Sequence, residues 1–228
     1  MATEADWSHL WLSEGFATYM TMLYMENKYG KDTIKSLMAS DRKLVTQFAK
    51  VKPVPVVDSS VTDYMQLLNA NSYQKGGWVL HMLRQELGDS TFWRSIRNYY
   101  AKYTGKNAVT GDLQKEMETV SGRDLSQFFK QWLFTSGQPV LNVSWQWESA
   151  TKLVHLVIDQ QQKTLFQFPL EIVIRDDRKE ILASKTIRIT AKQTTLSIPV
   201  KSLPTVLQLD PQVKLLFEST IANLEWRY

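Results

Sequence analysis

The chain of 228 residues contains no cysteine. Disulfide bonds and thiolate zinc sites are therefore excluded, although the redox compartment stays open. No apolar run approaches the roughly 20 residues that a transmembrane helix needs. The net charge of +4 is spread along the chain without a basic arm or stripe, so no nucleic-acid partner is expected. We expect a soluble globular protein whose compartment the sequence leaves unknown.

Histidine is also scarce, and none of the three histidines begins a zinc-binding H-E-x-x-H pattern. His9 and His155 precede leucine, and His81 precedes methionine. His81 falls in a helical apolar pattern and His155 in a strand-like pattern. A metal-binding role is therefore not expected for any of the three side chains.

The hydrophobic period changes once along the chain, near residues 137–139. Helical periodicity precedes this point, with helices predicted over 7–29, 32–50, 61–68 and 73–86 and three more before residue 137. A period of two follows it, with six or seven short strands that predict an antiparallel β-sandwich. The sequence thus predicts an α+β fold with a helical domain over 1–137 and a β-sandwich over 138–228.

The most informative segment is W-L-S-E-G-F-A-T-Y at residues 11–19. On a helix, Glu14 shares one face with Leu10, Trp11 and Ala17, which places a carboxylate in a largely apolar stripe. A buried carboxylate needs a neutralising partner, and a metal ion is one of few adequate ones. Gly15 would let another element approach closely. The alternative is a solvated glutamate at the edge of an amphipathic helix.

Residues 7–17 closely resemble the helix that supplies the third zinc ligand in the aminopeptidase N family of zinc metallopeptidases. The family pattern is W-x-x-L-W-L-N-E-G-F-A, from which only Ser13 departs. In that family two histidine ligands and a catalytic glutamate come first, in an H-E-x-x-H helix about eighteen residues upstream. Only thirteen residues precede Glu14 here. The resemblance implies that Glu14 is a zinc ligand and that the chain is a fragment cut after the H-E-x-x-H helix.

A second segment, N-S-Y-Q-K-G-G-W-V-L at residues 71–80, resembles the family's Y-x-K-G element. In the family this tyrosine hydrogen-bonds the oxyanion of the tetrahedral intermediate, a role that the resemblance gives to Tyr73. A fixed phenol donor aimed at developing charge stabilises the transition state more than the ground state. Asn71 or Ser72 is expected to cap the helix that follows. An ordinary surface or core tyrosine is the alternative.

A third resemblance covers residues 121–141, which in the family close the helical domain. Phe128, Phe129 and Trp132 follow the spacing of a core-facing helix stripe, so we interpret them as packing residues. The resemblance implies that 1–137 is the mostly helical C-terminal half of a thermolysin-like catalytic domain, followed by the β-sandwich. In the sandwich Trp145 and Trp147 share a strand face, and core packing is favoured over ligand stacking.

The resemblance implies a fragment of a zinc aminopeptidase that hydrolyses N-terminal residues from peptides. One zinc ion is expected in the intact enzyme, held by Glu14 and the missing histidines, with Tyr73 as the catalytic oxyanion donor. This truncated chain is expected to hold no zinc and to be inactive, because a single glutamate is not a zinc site and the general base is absent. The family's G-x-M-E-N strand is absent too, so the substrate-binding residues stay unknown.

Other functions remain open at this stage. The full-length protein would be a non-catalytic binding or scaffold module if it had lost the H-E-x-x-H motif. A related epoxide-hydrolysing activity uses the same family motifs, and the β-domain is a candidate interaction module. The missing helix is expected to leave an apolar groove beside Glu14, through which the chain would self-associate.

Overall fold

The computed structural model describes residues 3–223, and the chain divides into two compact units between Gly137 and Gln138. The first unit is helical and the second consists of two sheets. This architecture confirms the predicted α+β class, with a helical part followed by a β-sandwich. None of the described helices is long and apolar enough to cross a membrane.

The first unit is built from helices joined by short loops. Its described α-helices are α1 Trp11–Tyr29, α2 Lys31–Val51, α3 Gly76–Leu87, α4 Asp89–Tyr103, α5 Thr110–Ser121 and α6 Ser126–Leu133. Two 3₁₀ turns, Trp7–His9 and Tyr64–Leu67, and one π-helical turn, Asn71–Lys75, complete it. The π-helical turn runs directly into α3 and contains Tyr73.

Glycines set two of the helix boundaries. Gly30, at φ 96°, ends α1 and begins α2, and Gly88, at φ 77°, separates α3 from α4. These backbone angles favour glycine because it lacks a Cβ. Asp32, where the second predicted helix was expected to begin, is not the N-cap of α2. It lies inside the first turn of α2, and the N-cap position belongs to Gly30.

Aromatic side chains fill the core of the first unit. The fully buried ones are Trp11, Tyr19, Trp78, Phe92, Phe129 and Trp132. Phe129 and Trp132 therefore pack in the core as predicted, while Phe128 is half-buried and contacts Phe129 edge to face. One pairing was not predicted, between β1 Thr3–Glu4 and the parallel β2 Asn107–Ala108. Two-residue strands carry too little periodicity to be recognised in a sequence.

The second unit has the alternating strands that its sequence indicates. They are β3 Val140–Glu148, β4 Leu153–Gln160, β5 Phe168–Arg175, β6 Ile181–Ile189, β7 Gln193–Pro199, β8 Val206–Leu209 and β9 Glu218–Asn223. The strand orders are β7-β4-β3-β9 and β6-β5-β8. The pairs are antiparallel except β3 with β9, which is parallel. The predicted antiparallel β-sandwich is therefore confirmed, with one parallel pair at this edge of the described strands.

Inward-facing side chains of β3 and β4 alternate with polar ones and are buried in the core of the second unit. Val143 and Trp145 of β3 lie opposite Ile158 and Leu156 of β4, and all four are buried. Trp145 is thus a packing residue, as predicted, whereas Trp147 is only half-buried.

Candidate active site

Glu14 lies in the first turn of α1 and is half-buried. Its backbone N–H donates to the carbonyl of Leu10 at 3.1 Å, and its own carbonyl accepts from the hydroxyl of Thr18 at 2.8 Å. Trp11, Leu12 and Gly15 around it are buried. The carboxylate therefore projects from an apolar stripe, as the sequence indicates, but it keeps contact with solvent.

A close backbone contact brings α1 against the start of α3. A Cβ added to Gly15 would lie 2.8 Å from the carbonyl carbon of Gly76 and 2.9 Å from its Cα. A Cβ added to Gly77 would lie 3.3 Å from Cγ2 of Thr18. Real Cβ atoms do not approach backbone carbon this closely, so only glycine permits this packing. Glu14 directly precedes Gly15, and Tyr73 precedes Gly76 by three residues. The backbone contact therefore brings these two candidate residues close together.

Tyr73, in the π-helical turn before α3, interacts with Glu14 on α1. Burial raises the pKa of the Tyr73 phenol above its ordinary value. The negative charge of Glu14, and a hydrogen bond to it, raise the pKa further. The phenol therefore stays protonated at neutral pH and acts as a hydrogen-bond donor. The structure thus brings together the two residues that the sequence analysis selected.

The local structure around Tyr73 differs from the expected helix cap. Asn71 does not cap α3; its Nδ2 donates to the carbonyls of Val54 at 2.9 Å and Pro55 at 3.2 Å. The side chain of Asn69 instead accepts the backbone N–H of Asn71 at 2.8 Å. The π-helical turn follows, and such turns are frequent at functional sites.

A hydrogen-bonded chain fixes the segment that leads into α1. Trp11 donates from Nε1 to the hydroxyl oxygen of Thr110, the first residue of α5, at 2.8 Å. Nδ1 of His9 lies 2.8 Å from the same oxygen and accepts the backbone N–H of Thr110 at 3.3 Å. Since Nδ1 accepts that N–H, the Thr110 hydroxyl donates to it, and the His9 ring is neutral. Burial lowers the pKa of His9, against the opposing charges of Asp6 and Asp112.

Ser13 is the residue that departs from the family pattern, and it has a partner of its own. Its hydroxyl donates to the carboxylate of Glu4 in β1. Because β1 pairs with β2, just before α5, this bond adds a second link between the start of α1 and the start of α5. No signal in the sequence pointed to Glu4.

The other two histidines have partners within their own units. The buried His81 lies on α3, with Nδ1 3.1 Å from the hydroxyl of Tyr19. His155 lies on β4, with Nδ1 2.9 Å from the hydroxyl of Ser197 and Nε2 3.3 Å from the carboxylate of Glu148. Within residues 3–223, no group of three or more His, Cys, Asp or Glu side chains is placed to hold a metal ion.

The donors present fit a zinc ion only in part. A catalytic zinc site takes three protein ligands, and a glutamate carboxylate is one of its ordinary donors. Glu14 fits as such a ligand, because its carboxylate is half-exposed and faces the Tyr73 phenol. The described residues do not complete a group of three such ligands with Glu14.

An apolar groove of about 520 Å³ lies along the same helix, between α1 and α4. Leu12, Phe16 and Met20 line one wall, and Trp93, Ile96 and Tyr100 line the other. Ser13, the neighbour of Glu14, lies at its edge. Tyr100 is 59% exposed, so the groove presents apolar surface to solvent, and neither Glu14 nor Tyr73 lines it.

Comparison with known proteins finds similarity to peptidases in sequence and to an aminopeptidase structure in fold. A family model described as "Peptidase family M1 domain" matches residues 1–132. Aminopeptidase M1-C of Oryza sativa subsp. japonica is 34% identical over 147 residues, covering 63% of this chain and 17% of that protein. Probable aminopeptidase 1 of Sulfurisphaera tokodaii is 25% identical over 212 residues, covering 88% of this chain and 26% of that protein. The chain thus spans a minor part of the length of these relatives.

A solved structure supports the same fold. The crystal structure of Legionella pneumophila aminopeptidase A in complex with aspartic acid superposes with a TM-score of 0.81 and 21% sequence identity. The match covers 99% of this chain and 25% of that one. At this identity the likeness is one of fold.

Proposed function

The chain belongs to peptidase family M1, and from this premise we propose that it is part of a zinc aminopeptidase that removes N-terminal residues from peptides. The observation that carries the proposal is the interaction of Glu14 with Tyr73 across the contact of Gly15 with Gly76. Both residues lie in motifs that the family uses for catalysis. Neither has an evident structural role that would require it at this contact.

Glu14 would be the zinc ligand that this chain contributes. Glu14 would hold the ion together with ligands from outside this chain, and the chemistry supplied there would be Lewis-acid polarisation of the scissile carbonyl and activation of a water. Glu14 supplies a negative charge at the site, and the contact of Gly15 with Gly76 fixes its position relative to Tyr73.

Tyr73 would donate a hydrogen bond to the oxyanion. Its raised pKa keeps the proton on the phenol at neutral pH, so the donor is present throughout the reaction. A fixed donor of this kind is most effective where charge develops, because it needs no reorganisation during the reaction. Transfer of this hydrogen bond from Glu14 to the substrate oxygen is the change that we assign to Tyr73.

The isolated chain would be inactive, since Glu14 alone is one of the three ligands that catalytic zinc requires. The general base that activates water would come from the H-E-x-x-H helix, which this chain lacks. The full-length protein would bring the missing residues and cover the apolar groove between α1 and α4. In the isolated chain, a second copy would cover that groove.

The alternative function is a non-catalytic binding or scaffold module. The coding sequence upstream of Ala2 distinguishes the two functions. An H-E-x-x-H motif about eighteen residues before Glu14 supports the peptidase. Sequence at that place without the motif contradicts the peptidase and supports the scaffold.

A further inference from the structure

The turn that carries Tyr73 is held at both ends by buried polar side chains. At its start Asn71 is 3% exposed and donates to the carbonyls of Val54 and Pro55. At its end Lys75 is 1% exposed, and its Nζ donates to the carbonyl of Gly137 at 2.7 Å. Tyr73 lies midway between them and is only half-buried. We call Asn71 and Lys75 the two anchors of the π-helical turn.

The acceptors of both anchors belong to backbone that is tied to the end of α6. The backbone N–H groups of Val56 and Val57 donate to the carbonyl of Leu133, the last residue of α6, at 3.0 and 2.9 Å. The carbonyls of Val54 and Pro55 come immediately before this bonded pair. Gly137 follows α6 by four residues. The anchors therefore fasten the π-helical turn to one fixed region of the first unit.

Packing alone does not account for a lysine at position 75. An ammonium has three donors, and within residues 3–223 the carbonyl of Gly137 is its acceptor. Burial lowers the pKa of Lys75 to about 7, which shows how strongly the site disfavours the charged form. A methionine of similar length would fill the same space without this penalty. What the lysine adds over methionine is the hydrogen bond to Gly137.

We propose that Asn71 and Lys75 are positioning residues that aim the Tyr73 hydroxyl at the reacting carbonyl. The proposal rests on the proposed function of Tyr73. Regular α-helical bonding is interrupted in this turn, where the N–H of Gly76 bonds to the carbonyls of both Asn71 and Tyr73. The two anchors therefore hold a turn whose own backbone hydrogen bonds are irregular. A displacement of about 1 Å at a catalytic group costs roughly a hundredfold in rate.

Amide hydrogen exchange in this chain tests the anchor directly. Lys75→Met keeps the length of the side chain and removes its donor, and Lys106→Met, at an exposed lysine of the same unit, is the matched control. We expect exchange at the amide of Gly76 to accelerate about tenfold or more relative to that of Leu83 in α3. An unchanged ratio in folded Lys75→Met overturns the proposal. Asn71→Ala gives the same readout at the other anchor if Lys75→Met does not fold.

Kinetics of the full-length protein test whether the anchors act through Tyr73. Lys75→Met should lower kcat about tenfold to a hundredfold with KM unchanged within about twofold. In a Tyr73→Phe background it should cause no further loss, because the hydroxyl that it positions is gone. An equal loss in both backgrounds overturns the positioning role. If Tyr73→Phe itself leaves kcat unchanged, the proposed function of Tyr73 is wrong. The ratio of amide exchange at Gly76 and Leu83 then still tests whether Lys75 holds the turn.

Discussion

Gly15 and Gly76 hold the backbone of α1 against the start of α3, so closely that a Cβ on Gly15 would lie 2.8 Å from the carbonyl carbon of Gly76. Each glycine is adjacent, or nearly so, to a candidate site residue. Glu14 precedes the first glycine directly, and Tyr73 precedes the second by three residues. The backbone contact therefore brings the two segments that carry Glu14 and Tyr73 together, and the two side chains interact there.

Gly15→Ala should destabilise the first unit, because its Cβ meets backbone that cannot move aside cheaply. We expect a loss of about 1–3 kcal/mol in the free energy of unfolding. Gly111→Ala is the matched control, since nothing lies within 4 Å of a Cβ added there in α5, and alanine there should be neutral or stabilise by up to about 1 kcal/mol. Urea denaturation followed by helical circular dichroism measures both. Equal stability of the two variants would contradict the account of this contact.

Tyr73→Phe removes one donor and almost no volume, so the fold should persist. In the full-length protein we expect turnover to fall roughly a hundredfold or more with unchanged zinc content. Tyr64→Phe, which removes an exposed hydroxyl from a ring stacked on Trp7, should have little effect. Steady-state kinetics with an aminoacyl substrate makes the comparison. A loss confined to KM would instead assign Tyr73 to substrate binding.

His9 should make the stability of the first unit dependent on pH. Its pKa is lowered in the folded state, chiefly by burial, so the unfolded chain takes up a proton at higher pH than the folded chain does. The contribution of the neutral His9 ring to stability is complete above its pKa in the unfolded chain, about 6.5. This contribution is lost as the pH falls through the pKa of His9 in the folded chain. The free energy of unfolding should therefore fall as the pH drops below about 6.5.

His9→Asn keeps an acceptor near Thr110 and does not titrate in this range. Urea denaturation across the pH range should show a flatter dependence for this variant than for the wild type. The same slope in both proteins would exclude His9 as the cause.

The isolated chain should self-associate through the groove between α1 and α4. Ala17→Lys places an ammonium at the exposed edge of this groove, where association would have to bury it unpaired. Sedimentation equilibrium should show dimers of the wild type and a dissociation constant raised about tenfold or more in the variant. Asn27→Lys, on the exposed end of α1, should leave it unchanged. A wild-type chain that stays monomeric at high concentration would refute this use of the groove.

Periodicity was enough to predict the fold class, because each helix and each central strand carries its own hydrophobic repeat. β9 carries no such repeat, since its six residues are mostly exposed and hold no alternating apolar face. The pairing of β1 with β2 was missed because two residues carry no repeat. The conformation of these strands is determined by the strands they pair with and not by their own sequences.

The sequence predicted those features of the candidate site that show as an unusual local pattern. It did not predict features that depend on contacts between residues distant in the sequence. A glycine beside a glutamate in an apolar stripe pointed to close packing at Gly15. The buried bonds of Asn71 join it to backbone sixteen and seventeen residues away, and no local pattern indicates such a distance. Asn71 does not take the expected capping role, because its side-chain amide is engaged with these two backbone carbonyls.

Zinc binding by the full-length protein tests the central claim most directly. Elemental analysis after dialysis should find zinc in the wild type and in Asp177→Ala, which removes an exposed carboxylate from the second unit. In Glu14→Ala the zinc content should fall strongly while helical circular dichroism is retained, because the proposed zinc site is a catalytic one, on which the fold does not depend. Undiminished zinc in folded Glu14→Ala would contradict the assignment of Glu14 as a metal ligand.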